Sequence, residues 1–162
     1  MLRNELYVQS GVKWRGIEYV LIGSVIHSID AKGRYIVPAK FRSDLGERFV
    51  VTEGVGGCLF VFTLEQWEIV AERLAELPAD DEDTLYLKRE FFSRAYDMER
   101  DKQFRIVLPS LLRELADIDR DIVSVGMSRR LEIWDKQRWE QYGQHKRVDD
   151  KQKRSLLAGV IL

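Results

Sequence analysis

An aspartate and an arginine stand four residues apart across a short polar turn, and the chain does this twice. The first run is Asp30-Ala31-Lys32-Gly33-Arg34, and the second is Asp101-Lys102-Gln103-Phe104-Arg105. Across a hairpin turn that spacing brings a carboxylate to a guanidinium, so Asp30 and Asp101 are expected to hold their turns by an ion pair. Gly33 permits the positive φ of a tight turn at no steric cost. The remaining cations are Lys32 and Lys102 near the turn tips, Arg34 and Arg105 at the turn ends, and Lys40 and Arg42 a few residues on. They suit anion binding better than bond-breaking, because Lys is a point charge and Arg can bridge a phosphate or grip guanine in a bidentate contact. For Lys32, Lys40 and Arg42 a solvated surface is the competing reading.

Net charge hides this grouping. The chain has 26 Lys+Arg against 27 Asp+Glu, a net of -1, which excludes a simple polycation. From Ser28 to Arg42 four bases face one acid, a net of +3, and Arg100 to Arg113 also nets +3. Glu72 to Asp83 holds six acids and one Arg, a net of -5. Basic charge sits in the two turn motifs and acidic charge on the connecting helices. Phosphate binding needs that segregation, since affinity comes from released counterions and not from overall charge.

Other chemistry finds little support. One Cys, Cys58, and two His, His27 and His145, cannot build a thiolate or imidazole zinc site or an intramolecular disulfide. No nucleophile–base constellation is visible, so an enzyme is not expected, and neither a cofactor nor a metal is implied. Gly54-Val55-Gly56-Gly57 lacks the Gly-Lys-Ser/Thr of a phosphate-cradling loop and reads as a hairpin turn. No apolar run approaches the ~20 residues of a membrane span, and no signal-peptide core is present. A cytoplasmic protein is the default expectation, with His27 and Cys58 as ordinary strand residues.

The elements that position the basic turns are themselves duplicated. Asp30, Arg34, Pro38 and Arg42 recur as Asp101, Arg105, Pro109 and Arg113 at an offset of 71, and Leu59 to Trp67 matches Leu131 to Trp139 at an offset of 72. Copy one is expected to run as a strand over 21–29, the turn, a strand over 34–37, a short helix over 39–45 ended by Gly46, and strands over 49–52 and 58–62. An amphipathic helix then carries Leu64, Trp67, Val70, Ala71, Leu74 and Leu77 on one face, with Thr63 and Gln66 as its capping box and Pro78 as its stop. A linker helix starts at the acidic run Asp80 to Asp83, favourable to its dipole, with Leu85, Phe91 and Phe92 on its apolar face. Copy two predicts strands over 95–99, 106–108, 122–125 and 131–134, and helices over 110–115 and 136–142, the last capped by Asp135. Trp67 and Trp139, at equivalent helical positions, suit core packing. At about 45–50 residues each copy is near the lower limit for an independent core, so the two should interlock into one α+β body. The expected boundaries are an N-terminal extension over 1–20, repeats over 24–71 and 95–138, linker helices over 72–94 and a tail over 139–162.

These motifs resemble the MraZ family of bacterial proteins, which carry two tandem SpoVT-AbrB-type domains. The resemblance runs from about Leu21 to Tyr142 and rests on His27-Ser28-Ile29-Asp30-Ala31-Lys32-Gly33-Arg34, Ile36-Val37-Pro38-Ala39-Lys40-Phe41-Arg42, Gly57-Cys58-Leu59-Phe60, Asp101-Lys102-Gln103, Arg105, Pro109 and Glu132-Ile133-Trp134-Asp135. It implies a duplicated swapped-hairpin β-barrel with short flanking helices, a ring-shaped homo-oligomer, and sequence-specific binding of double-stranded DNA through Lys32, Arg34, Lys40, Arg42, Lys102 and Arg105. Regulation of the division and cell-wall gene cluster that includes the protein's own gene, and association with the nucleoid, are implied with it. An antitoxin-like or other protein-interaction module on the same fold is the alternative, although the duplication favours the regulator. Phe104 departs from the family's second-turn Gly, and a left-handed Phe costs about 1 kcal/mol or more.

The two ends carry expectations of their own. Met1 to Tyr19 lies beyond the usual family start, and two readings stand: an N-terminal arm, or an upstream segment ahead of a true start at Val20, with Trp14-Arg15-Gly16 encoded as a purine-rich ribosome-binding sequence. Ser155 to Leu162 is strongly apolar after the charged stretch Lys146 to Arg154. It is expected to dock on the same subunit or on a neighbour, a terminal helix there being weakened by Gly159, with a frayed tail as the competing reading.

Overall fold

The computed structural model describes residues 20–158 and 160. The two readings of residues 1–19 therefore lie outside the described residues, as do Gly159, Ile161 and Leu162 of the apolar tail.

Copy one supplies β1 (Ser24–Ser28), β2 (Arg34–Ile36), a 3-10 turn (Ala39–Phe41), α1 (Arg42–Leu45), β3 (Arg48–Glu53), β4 (Leu59–Thr63) and α2 (Leu64–Glu76). After α3 (Glu82–Ser93), copy two supplies β5 (Tyr96–Glu99), β6 (Arg105–Val107), α4 (Ser110–Leu115), β7 (Asp121–Gly126), β8 (Leu131–Asp135) and α5 (Lys136–His145), and α6 (Asp150–Leu157) follows. The expected elements are present, most with ends moved by one or two residues. The largest change is β1, which is shorter than 21–29 because Leu21 makes only an isolated bridge, to Ser128.

The strands sort into a six-stranded antiparallel sheet, in the order β1-β7-β8-β4-β3-β5, and a two-stranded ribbon of β2 and β6. Each copy's first strand pairs with the other copy's third: β1 with β7 and β5 with β3. The copies are thus interleaved, as their small size requires. Among the described residues the six-stranded ladder stays open, with β1 and β5 at its edges, so it does not close into the expected barrel.

The register reveals a pseudo-twofold axis. Phe60 faces Glu132, which is its own counterpart at offset 72, and Tyr35 faces Ile106, its counterpart at offset 71. The axis therefore passes through the centre of the sheet and the centre of the ribbon.

Alternation along the strands sends Phe49, Val51, Leu59, Val61, Ile122, Leu131 and Ile133 to one face, where the ribbon's Tyr35 and Ile106 and the short helices' Phe41, Leu45 and Leu112 close over them. Fully burying one such side chain stabilises by about 1.5–3 kcal/mol. The opposite face carries Phe62 and Trp134. Trp67 of α2 stacks on Phe91 of α3 with centroids 5.5 Å apart, and Trp139 of α5 stacks on Tyr142, so both tryptophans pack as expected. Thr63 Oγ1 accepts from Gln66 N at 3.1 Å and caps α2, while Leu64 and Leu77, at the two ends of the expected apolar stripe, are exposed.

Candidate nucleic-acid interface

The two Asp-Arg turns are built alike. Asp30 Oδ1 accepts from the backbone N–H groups of Lys32 and Arg34, both at 3.0 Å, and its Oδ2 accepts from Arg34 Nε at 2.5 Å. Asp101 Oδ1 accepts from Gln103 N at 2.8 Å and Arg105 N at 2.9 Å, and its Oδ2 accepts from Arg105 Nε at 2.8 Å. The ion pairs expected for Asp30 and Asp101 are both formed. The backbone N–H of Arg34, followed by its guanidinium, holds the Asp30 carboxyl below the usual carboxylate range. Arg105 does the same for Asp101. Each aspartate engages one guanidinium nitrogen, and the two arginine side chains stay 37% and 31% exposed.

β2 and β6 then bring the two arginines together. Arg34 is opposite Val107 and Ile36 is opposite Arg105. Tyr35 and Ile106 point into the core, so these four residues share the ribbon's outer face. Ile36 and Val107 are 45% and 55% exposed, which leaves an open strip of two guanidinium groups and two aliphatic side chains related by the pseudo-twofold. Lys32 and Lys102 lie exposed in the flanking turns. A two-stranded ribbon is narrow enough for the major groove of B-form DNA.

Lys40 and Arg42 stand apart from this strip. Lys40 is in the 3-10 turn, its Nζ 5.4 Å from the Phe41 ring centroid. Arg42 is half-buried. Its Nε donates to the Val37 carbonyl at 2.8 Å, and its guanidinium lies 4.2 Å over the ring of Phe104. Arg113, its counterpart, donates to the Leu108 carbonyl at 3.2 Å and lies against Gly33. Each short-helix arginine thus reaches across to the other copy's turn.

That contact explains how Phe104 is tolerated. Phe104 takes φ +61°, close to Gly33's +76°. Its carbonyl accepts from Val37 N at 2.8 Å, as Gly33's accepts from Leu108 N at 2.9 Å, so the second turn keeps the backbone pattern of the first. The cost of a left-handed Phe is offset by the ring's packing on the core and by Arg42 and Arg100, at 4.2 and 4.3 Å from its centroid.

Behind the ribbon lies a polar network that the sequence pattern did not single out. Ser124 Oγ is 2.7 Å from Tyr35 Oη and 2.7 Å from His27 Nε2. Burial pushes the Tyr35 phenol up and the His27 imidazole down, so both are neutral at pH 7. The contact joins β2, β1 and β7, and it fixes the ribbon to the sheet. Burial, ahead of the Glu132 charge, likewise pushes the Cys58 thiol up to about 12, as suits a packed residue and not a nucleophile. Among the described residues no cluster of three or more His, Cys, Asp or Glu could hold a metal ion, and no helix is long and apolar enough to cross a membrane.

Comparison with known proteins gives the same duplication. The family model described as "MraZ protein, putative antitoxin-like" matches twice in tandem, over residues 20–90 and 91–158. The chain is 48% identical over 123 residues to the "Transcriptional regulator MraZ" of Caldanaerobacter subterraneus subsp. tengcongensis, covering 76% of this chain and 86% of that one. Its identity to the protein of the same name from Acetivibrio thermocellus is 47% over 120 residues, 74% and 84% of the two chains. For the Carboxydothermus hydrogenoformans protein, again of that name, it is 43% over 123 residues, 76% and 86%. With two tandem family matches spanning most of its length and relatives this similar, the chain belongs to the MraZ family.

Proposed function

We propose that this protein is a DNA-binding transcriptional regulator, not an enzyme, and that the β2–β6 ribbon is its reading head. The observation that carries the proposal is the pairing of Arg34 and Arg105 on one exposed face, each oriented by its own aspartate. The relatives' shared name as transcriptional regulators supports it. In this reading Arg34 and Arg105 meet base edges or phosphates in the major groove, Lys32 and Lys102 take phosphates on either side, and Lys40 adds long-range attraction. Arg42 keeps a secondary contact with the backbone of the DNA while it braces the second turn. Asp30, Gly33 and Asp101 hold the turns in shape.

One ribbon buries little DNA, so affinity requires several subunits on repeated short boxes. A homo-oligomer, ring-shaped as the family resemblance implies, supplies that by linked binding without new contacts. The cross-pairing of β1 with β7 and β5 with β3 supports the family's swapped-hairpin arrangement. The expected target is the division and cell-wall gene cluster that includes the protein's own gene, read by a cytoplasmic, nucleoid-associated protein. The family description also carries the word antitoxin-like, and a protein-interaction module is the second reading. Binding to DNA from upstream of its own gene, compared with a scrambled duplex, separates the two: a regulator prefers the native fragment, and a pure interaction module shows no preference.

A further inference from the structure

α6 begins at a complete capping box: Asp149 Oδ1 accepts from Gln152 N at 2.7 Å, and the Gln152 side chain accepts from Asp149 N at 3.2 Å. A helix so well started nevertheless has no buried residue. Leu156, Leu157 and Val160 are 71%, 39% and 75% exposed, so the described residues of the tail leave their aliphatic side chains uncovered on this subunit. Lys153, Leu156 and Leu157 follow the i, i+3, i+4 spacing, which puts a cation and two aliphatic side chains on one face of the helix.

α3 offers the matching face. It too has no buried residue: Trp67 packs on Phe91 and Phe92, and Lys88 Nζ donates to the carbonyl groups of Ala75 and Leu77. Asp83, Tyr86 and Leu87 repeat the same spacing with the opposite charge, and Tyr86 and Leu87 are 58% and 47% exposed. The surroundings are complementary as well. Glu72 to Asp83 nets -5, whereas Lys146 to Arg154 has five bases and two acids, a net of +3.

We propose that α6 of one copy packs on the Tyr86–Leu87 face of α3 in a second copy. Aligned in the same direction, the two helices place Leu156 against Tyr86, Leu157 against Leu87 and Lys153 beside Asp83. Both exposed apolar strips are then covered, and the charges flank them. This contact is independent of DNA and goes beyond the reading of the ribbon.

The test mixes two full-length preparations without DNA, one carrying Leu157→Cys and the other Leu87→Cys, under mild oxidation. Cys58 is fully buried and does not compete. A disulfide between the two kinds of copy is expected, with at most trace linkage when Leu87→Cys is replaced by Ile26→Cys on the far edge of the sheet. Lys153→Glu should cut the yield about tenfold, and Asp83→Lys in the partner should restore it. Absence of the mixed disulfide, equal linkage to position 26, or no response to the charge exchange would overturn the proposal. So would retention of α6 on anionic vesicles with no mixed disulfide.

Discussion

The guanidinium carbon of Arg113 lies 2.9 Å from where a Cβ on Gly33 would stand. The helix of one copy thus occupies the side-chain space of the other copy's turn. Its counterpart, Arg42 over Phe104, achieves the same cross-copy contact with a ring in place of a void.

Gly33→Ala meets both this arginine and a backbone at φ +76°, and it should destabilise the fold by about 1–2 kcal/mol in denaturant titration. Phe104→Gly relieves the backbone but loses the ring's packing. It should also destabilise, by roughly 1–2 kcal/mol, because lost core contact and two cation–π contacts outweigh the relief. A stabilised Phe104→Gly would show that the ring contributes nothing.

The two turn aspartates make an acid-limb prediction. Both carboxyls are depressed in the folded state, so the native protein holds their protons less tightly than the unfolded chain. Their contribution is present above the ordinary aspartate value of about 4 and is lost as pH falls through the lower folded values. Asp30→Asn with Asp101→Asn should lower stability at pH 7 and flatten its decline below pH ~4. An unchanged acid limb in thermal melts across that range would refute the role of these pairs.

Tyr35→Phe removes a hydroxyl from Ser124 and should cost about 1 kcal/mol. His27 is held neutral by burial, so its contribution is present above its ordinary value of about 6.5 and is lost as pH falls below it. Thermal midpoints of wild type and His27→Phe, followed from pH 8 to 5, should show this decline in the wild type alone.

The Asp-to-Arg spacing and the offset of 71 made the turns legible, and with them most helices and strands. These are local features: a carboxylate satisfying N–H groups two and four residues on, Pro38 and Pro109 just ahead of the short helices, and Asp135 capping α5. What stayed hidden was long-range. Nothing in β1 says that it pairs with β7 and not with its own hairpin mate. That exchange lets the three-residue strands β2 and β6 find each other and place Arg34 beside Arg105. Arg42 read as a surface cation because its partner, Phe104, belongs to the other copy. The Tyr35–Ser124–His27 network was equally invisible, since copy two has Ile106 and Met98 at the matching positions and repeats neither ring.

Arg34→Ala and Arg105→Ala should each weaken specific DNA binding by about 1–3 kcal/mol while leaving the far-UV spectrum unchanged. Lys32→Ala and Lys102→Ala should weaken native and scrambled DNA alike. Similar losses from all four would mean that the ribbon contacts only phosphates.

The most direct test of the central claim is a salt titration of binding to the duplex upstream of the protein's own gene, with a scrambled duplex alongside. If an engaged assembly neutralises six or more phosphates, log K should fall against log salt with a slope of about -5 or steeper. Native DNA should remain preferred throughout, and the Arg34→Ala, Arg105→Ala double variant should abolish that preference. Affinity that barely changes with salt, or a preference that survives loss of both arginines, would contradict the account.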